Sequence, residues 1–195
     1  MVLDGYLGQI NQCMLLFGGG GGGGVRQPPE KPQAPPPDLD WEMFQGPAPR
    51  RPFVPGRLRW RSWYDYGGGS ITDWGVHLTD VMHWYMDADT TAPLLTSAMG
   101  QYVFSEPNLE RAPDTFTVTW KFENFVATFT NAVPPSTEPG MSMSDQYGDY
   151  FFGQRGMLLV NRYGYEWRPT PQRAMPGGAA PGRGGPQGQT PPPQP

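Results

Sequence analysis

One cysteine, Cys13, stands in 195 residues, so no internal disulfide can form and no cysteine metal site can be assembled. It reads as a small buried hydrophobe, not a nucleophile. Fourteen Lys and Arg against eighteen Asp and Glu leave a net charge of -4 and a pI near 5.1, without the basic footprint that nucleic acid demands. No apolar run approaches the roughly 20 residues of a membrane span. The opening MVLDGYLGQINQ has neither the basic nor the apolar region of a signal peptide. These absences predict a cytoplasmic, soluble chain with neither nucleic acid nor membrane as partner.

Glycine (27) and proline (25) are abundant, together more than a quarter of the chain, and they are unevenly spread. They concentrate in Gly18–Gly24, in Pro28–Pro37 and beyond Trp167. Glycine loses the most backbone entropy on ordering, so residues 18–37 are expected to be a flexible insertion and 169–195 a disordered tail. The glycine run does not read as a phosphate loop, because Val25-Arg26-Gln27-Pro28 follows it instead of Gly-Lys-Ser/Thr and a helix. The remainder, rich in Trp, Tyr and Phe, is long enough to bury a core.

Hydrophobic patterning places elements along residues 1–168. Ile10–Phe17 reads as a buried strand, and Asp38–Phe44 as a helical turn capped by Asp38 or Asp40. From Asp73 the period becomes helical, with Ser70, Thr72 or Asp73 as cap and Asp87–Pro93 as terminator. The apolar stripe falls on Trp74, Leu78, Val81 and Tyr85, with Asp73, His77, Asp80 and Trp84 directly beside it. The period then drops to two. Strands are expected at Leu94–Phe104, Thr115–Phe122 and Phe125–Thr130, and a hairpin at Gly156–Val160 and Tyr165–Arg168. The fold class is α+β: a predominantly antiparallel open sheet in a meander, with helices packed on one face.

Asp73, His77 and Asp80 admit three readings on spacing alone. Asp73 is a helix cap, Asp80 a solvated carboxylate and His77 a satisfied histidine; or the three share a metal ion, for which no fourth ligand is near; or His77 exchanges a proton with a substrate hydroxyl while a carboxylate steadies the imidazolium. The glycines Gly67–Gly69 ahead of the helix suit a close approach of backbone to ligand. In the aromatic and basic stretch Arg57–Tyr66, Trp63 and Tyr66 are candidates for stacking on a sugar.

The run Tyr64-Asp65-Tyr66-Gly67-Gly68-Gly69-Ser70-Ile71-Thr72-Asp73-Trp74-Gly75-Val76-His77-Leu78-Thr79-Asp80, followed by Trp84, resembles the signature of the Gfo/Idh/MocA family, the relatives of glucose–fructose oxidoreductase and inositol dehydrogenase. Leu39-Asp40-Trp41 through Gly46-Pro47-Ala48-Pro49, with Arg51-Pro52-Phe53, is similar to the bacterial-type C-terminal domain of that family. Gly5–Ile10 resembles its opening strand and Gly153–Val160 its late hairpin. The resemblance implies the substrate-binding half of an NAD(P)-dependent oxidoreductase acting on a sugar, cyclitol or related polyol. It implies His77 as acid/base, Asp73 as its orienting partner or a hydroxyl ligand, and Asp80 at the same pocket. It also implies a homo-oligomer through the open sheet face. No G-x-G-x-x-G follows a strand, so NAD or NADP is expected to bind a Rossmann domain or partner chain and not this chain alone. Glu30-Lys31-Pro32 spells the tripeptide that carries the family's catalytic lysine, but in a proline-rich loop, and reads as coincidence. A non-catalytic oligomerisation or sugar-binding module of the same descent is the alternative.

Overall fold

A computed structural model describes residues 2–18, 29–131 and 147–170. Of the insertion expected to be flexible over 18–37, residues 19–28 lie outside the described residues, as do residues 171–195 of the tail expected to be disordered from 169; Pro169 is paired in β7, and the Gln33 N–H donates to the Phe53 carbonyl. Nine regular elements follow along the described chain: β1 (Ile10–Phe17), α1 (Trp41–Gln45), α2 (Ser70–Met86), β2 (Leu95–Gln101), β3 (Thr115–Lys121), β4 (Val126–Thr130), β5 (Tyr147–Gly153), β6 (Gly156–Asn161) and β7 (Gly164–Pro169). Two 3-10 turns, Pro55–Leu58 and Trp60–Ser62, lead into α2.

The strands form one sheet in the order β2-β3-β4-β1-β5-β6-β7. It is mixed and mostly antiparallel: β1 runs parallel to β4, and the other neighbours are antiparallel. The expected simple meander holds only on either side of β1. The first strand inserts at the centre because its residues are apolar on both faces, as a strand flanked on both sides requires. Cys13 and Leu15 are fully buried on one face, and Met14 and Leu16 half-buried on the other. The expected hairpins β3–β4 and β6–β7 are present, the second closing over Arg162-Tyr163. β5 escapes the sequence reading. Its sequence YGDYFFG breaks the alternation with Gly148 and Asp149, yet it pairs with β1 and β6 through the middle of the sheet.

α2 lies over β1 and β5. It begins at Ser70, three residues earlier than its apolar period suggests, and its cap is Gly69 with no side-chain hydrogen bond; Ser70, Thr72 and Asp73 do not cap it. Its buried face also differs from the expected one. Gly75, Leu78 and Met82 point into the core, with Tyr85 and Met86 packed beside them. At 100° per residue this face is turned by about 60° from the expected stripe, which carries His77, Asp80 and Trp84 away from the core and into the open. The cause is at Gly75, where a Cβ would sit 2.9 Å from the ring of the fully buried Phe129. Without that Cβ the helix settles with residue 75 against the sheet. Phe129, Phe151, Leu15 and Leu158 fill the layer beneath, and burying each contributes roughly 1.5–3 kcal/mol.

α1 is capped as expected by Asp40, which accepts from the Met43 N–H at 2.9 Å. The Trp41 indole donates to the Arg51 carbonyl, and the amide of Gln45, a buried side chain, accepts from the Arg51 N–H. Glu30 accepts from the Gly56 N–H, which ties the proline-rich segment to the 3-10 turn.

Candidate functional site

The start of α2 is held against two other segments. The Gly69 N–H donates to the Arg61 carbonyl at 2.8 Å, and the Ala112 N–H donates to the Ser62 carbonyl at 2.8 Å. Gly69 has φ +72, and a Cβ there would lie 2.6 Å from the Ala112 Cβ. A Cβ at Gly67 would lie 2.8 Å from the Arg61 carbonyl oxygen. The close approach these glycines permit is to the protein's own backbone and to Ala112, and Gly69 and Ala112 themselves line the space beside them. Their effect is to bring Arg61, Asp73 and Arg111 together.

Between these segments, the end of β1 and the β6–β7 turn lies an open cleft of about 570 Å³. His77, Asp73 and Trp74 of α2 form one wall; Arg61, Arg111, Asp114, Asn131 and Arg162 line the rest. His77 is exposed, and its ring meets the edge of Trp74 at 5.8 Å between centroids. Trp74 is itself stacked on Phe17 at 4.3 Å and packed against Tyr147. Asp73 forms an ion pair with Arg61, Oδ2 to Nε at 3.0 Å. The partner of Asp73 is thus an arginine across the cleft and not the histidine one turn on.

Asp114 is committed to its own loop. Its carboxylate accepts from the Val103, Phe104 and Ser105 N–H groups and from the Ser105 and Thr115 hydroxyls. Burial alone would raise this carboxyl, but those hydrogen bonds outweigh it and hold it below the ordinary range. Asn131, 7% exposed, braces the same corner by donating to the Asp114 carbonyl and accepting from the Phe116 N–H.

Asp80 lies one turn beyond His77 and lines a smaller cavity of about 230 Å³ with Trp84, Tyr147 and Asp149. His77 and Arg162 line both spaces, so the two adjoin. Trp63 and Tyr66 are set back from the cleft. Trp63 is 5% exposed, donates its indole N–H to the Gly56 carbonyl at 3.0 Å, and lies beneath the guanidinium groups of Arg57 (4.0 Å) and Arg111 (5.1 Å). Tyr66 packs edge-on to Phe44, and its hydroxyl is buried with no partner among the described residues. Around them Arg51 and Arg57 clasp Asp65 and Glu110. The Arg51 hydrogen bond, aided by Arg57, keeps the Asp65 carboxyl below the usual range against the opposing effect of burial.

Sequence reasoning missed Arg61, Arg111 and Arg162 as cleft residues and Asp149 as a buried acid. An acid inside an aromatic run, as in YGDYFFG, is the signal for Asp149; the arginines come from three distant segments and give none. Among the described residues no three His, Cys, Asp or Glu side chains converge as metal ligands would, and no helix is long and apolar enough to cross a membrane.

With curated proteins the chain shows no match. Among solved structures it is similar to yvaA of Bacillus subtilis, assigned there as an oxidoreductase, at 14% identity and a TM-score of 0.40, covering 81% of this chain and 32% of that one. An oxidoreductase-assigned protein of Thermotoga maritima gives 16% identity and a TM-score of 0.42, covering 86% of this chain and 42% of that one. One from Klebsiella pneumoniae gives 15% and 0.34, with 83% and 32% covered. The chain thus spans between about a third and two fifths of the length of these proteins. Residues 25–103 match the family described as the oxidoreductase family, C-terminal alpha/beta domain. The segment that carries α1, the two 3-10 turns, Asp73, His77 and β2 is thus the part of the chain that is similar to the C-terminal α/β domain of the Gfo/Idh/MocA oxidoreductases.

Proposed function

We propose that this chain is the substrate-binding half of an NAD(P)-dependent oxidoreductase acting on a sugar, cyclitol or related polyol, with His77 exchanging the proton of the reacting hydroxyl. One observation carries the reading: an exposed histidine and an acid held by an arginine line the same open cleft at the start of α2. A neutral imidazole in such a position accepts the hydroxyl proton as a carbonyl forms and returns it in the reverse direction. Asp73, its Oδ2 tethered by Arg61, accepts a hydrogen bond from a neighbouring substrate hydroxyl, and Asp80 does so from the adjoining cavity. Trp63 and Tyr66 support the cleft from behind, Trp63 by carrying the guanidinium of Arg111.

The described residues do not fit a dinucleotide. The one glycine turn among them that opens a helix is filled by the backbone of Arg61 and by Ala112. The cofactor is therefore assigned to a domain outside these residues, and the side chains of the cleft account for the proton half of the reaction alone.

The test is turnover of a polyol by the protein supplied with its dinucleotide domain. His77→Ala is expected to lower kcat by about 10²–10⁴ with little change in KM. An unchanged kcat removes His77 from the chemistry. The second reading, a non-catalytic module, draws support from the exposed apolar residues Leu94, Leu95 and Met99 on and beside the edge strand β2, which a second copy would cover. A strict monomer by light scattering at high concentration counts against it.

A further inference from the structure

We infer that the substrate taken by this cleft is an acidic one, a polyol that carries a carboxylate or phosphate group, and that Arg111 and Arg162 are the residues that recognise it. The inference rests on the reading of the cleft as a polyol site and deepens it by naming the substrate class.

Three guanidinium groups line the cleft, from Arg61, Arg111 and Arg162, against the two carboxylates of Asp73 and Asp114. The carboxylates are occupied. Asp73 is paired with Arg61, and Asp114 spends its oxygens on the backbone and hydroxyls of the Val103–Ser105 and Thr115 segments. Among the described residues Arg111 and Arg162 form no ion pair with a carboxylate.

Both cations are also held in place. The Arg111 guanidinium lies over the buried Trp63 ring at 5.1 Å, and that of Arg162 over Trp74 at 5.0 Å, where it also reaches the Tyr147 hydroxyl. An indole face orients a guanidinium without consuming its N–H donors, and the donors left over can meet an in-plane pair of anionic oxygens. The supports are themselves fixed, Trp63 by its hydrogen bond to the Gly56 carbonyl and Trp74 by stacking on Phe17. Trp74 touches Arg162 on one side and His77 on another, so a substrate whose acidic group meets the arginines can set a hydroxyl at His77. A neutral sugar would leave both cations without counter-charge. A carboxylate and a phosphate meet this arrangement equally well, since both present two coplanar oxygens.

The test is calorimetric titration of the chain at low salt with three probes: D-glucose, D-glucuronate and D-glucose 6-phosphate. At least one acidic probe is expected to bind about ten-fold or more tightly than glucose, with the preference falling as salt rises. Which of the two binds more tightly tells carboxylate from phosphate. Arg111→Gln and Arg162→Gln are each expected to remove most of that preference while altering glucose binding less than about two-fold. Arg111→Lys, which keeps charge without the planar fork, is expected to retain part of it, and this guards against a merely structural effect of losing the stack on Trp63. Equal affinity for acidic and neutral probes, or a preference that survives both Gln substitutions, overturns the inference. If glucose alone binds, in a manner sensitive to His77→Ala, the acidic class is wrong and the polyol site stands; if no probe binds, both are wrong.

Discussion

Asp149 is the residue whose chemistry departs furthest from its type. It lies at the centre of β5, opposite Leu15 of β1 and Val160 of β6, 2% exposed, and its Oδ1 has no partner among the described residues. Burial pushes its carboxyl up to about 8. The folded chain therefore holds a proton there that the unfolded chain, with a carboxyl near 3.8, releases early. Between those two values the folded state binds more protons, so stability falls as pH rises from about 4 to about 8, by at most about 1.4 kcal/mol per pH unit from this one group. Chemical denaturation followed across that window is expected to show the decline, and Asp149→Asn to flatten it; equal slopes in both proteins would contradict the assignment. The neighbouring Cys13 thiol is pushed up to about 12, by burial first and then by the charge of Asp149. At about pH 8 the native chain should resist alkylation by iodoacetamide and react once denatured, and rapid labelling of folded protein would show that Cys13 is not sealed in the core.

At the scale of elements, α2 is fixed by one contact that its sequence does not advertise. Gly75 costs helix propensity worth roughly 1 kcal/mol relative to alanine, yet the missing Cβ is what lets the helix meet Phe129. Gly75→Ala is therefore expected to destabilise the fold by about 1–3 kcal/mol in spite of its better propensity, with Phe129→Leu restoring part of the loss. A stabilised Gly75→Ala would mean that the helix stands further from β4 than described. The opposite sign is expected at the other end. Asp87 closes α2 with φ 50, the left-handed region that favours glycine, and Asp87→Gly should raise stability by about 0.5–1 kcal/mol in thermal unfolding. The strands with clean alternation, β3 and β4, and the apolar run of β1 are legible because burial imposes their pattern directly. β5 is not, since Gly148 and Asp149 interrupt it and its neighbour β1 in the sheet is distant in sequence. The facing of α2 departs by about 60° from its apolar period because a glycine carries no hydrophobic signal, although here it marks the buried side.

For the whole molecule, the cleft is an assembly of segments that lie up to about a hundred residues apart: the turn holding Arg61, the first turns of α2, the loop through Arg111 and Asp114, and the β6–β7 turn with Arg162. Asp73 and His77 are legible because they share one helix face; the arginines opposite them depend on tertiary folding, and only the sheet order brings them near. Insertion of β1 at the centre of the sheet sets that order, since it places β5 and β6 on the far side of β1 from β3 and β4. The central claim is that this cleft, and not the adjoining smaller cavity by itself or the open sheet face, receives the substrate. A nuclear magnetic resonance titration of the chain with a polyol or its uronate tests it most directly. The account predicts that the largest shifts fall on the Trp74 indole, the His77 ring and the backbone amides of Gly69 and Ala112; shifts confined to Trp84 and Asp80, or to Met14, Met99 and Val126 of the open face, would contradict it.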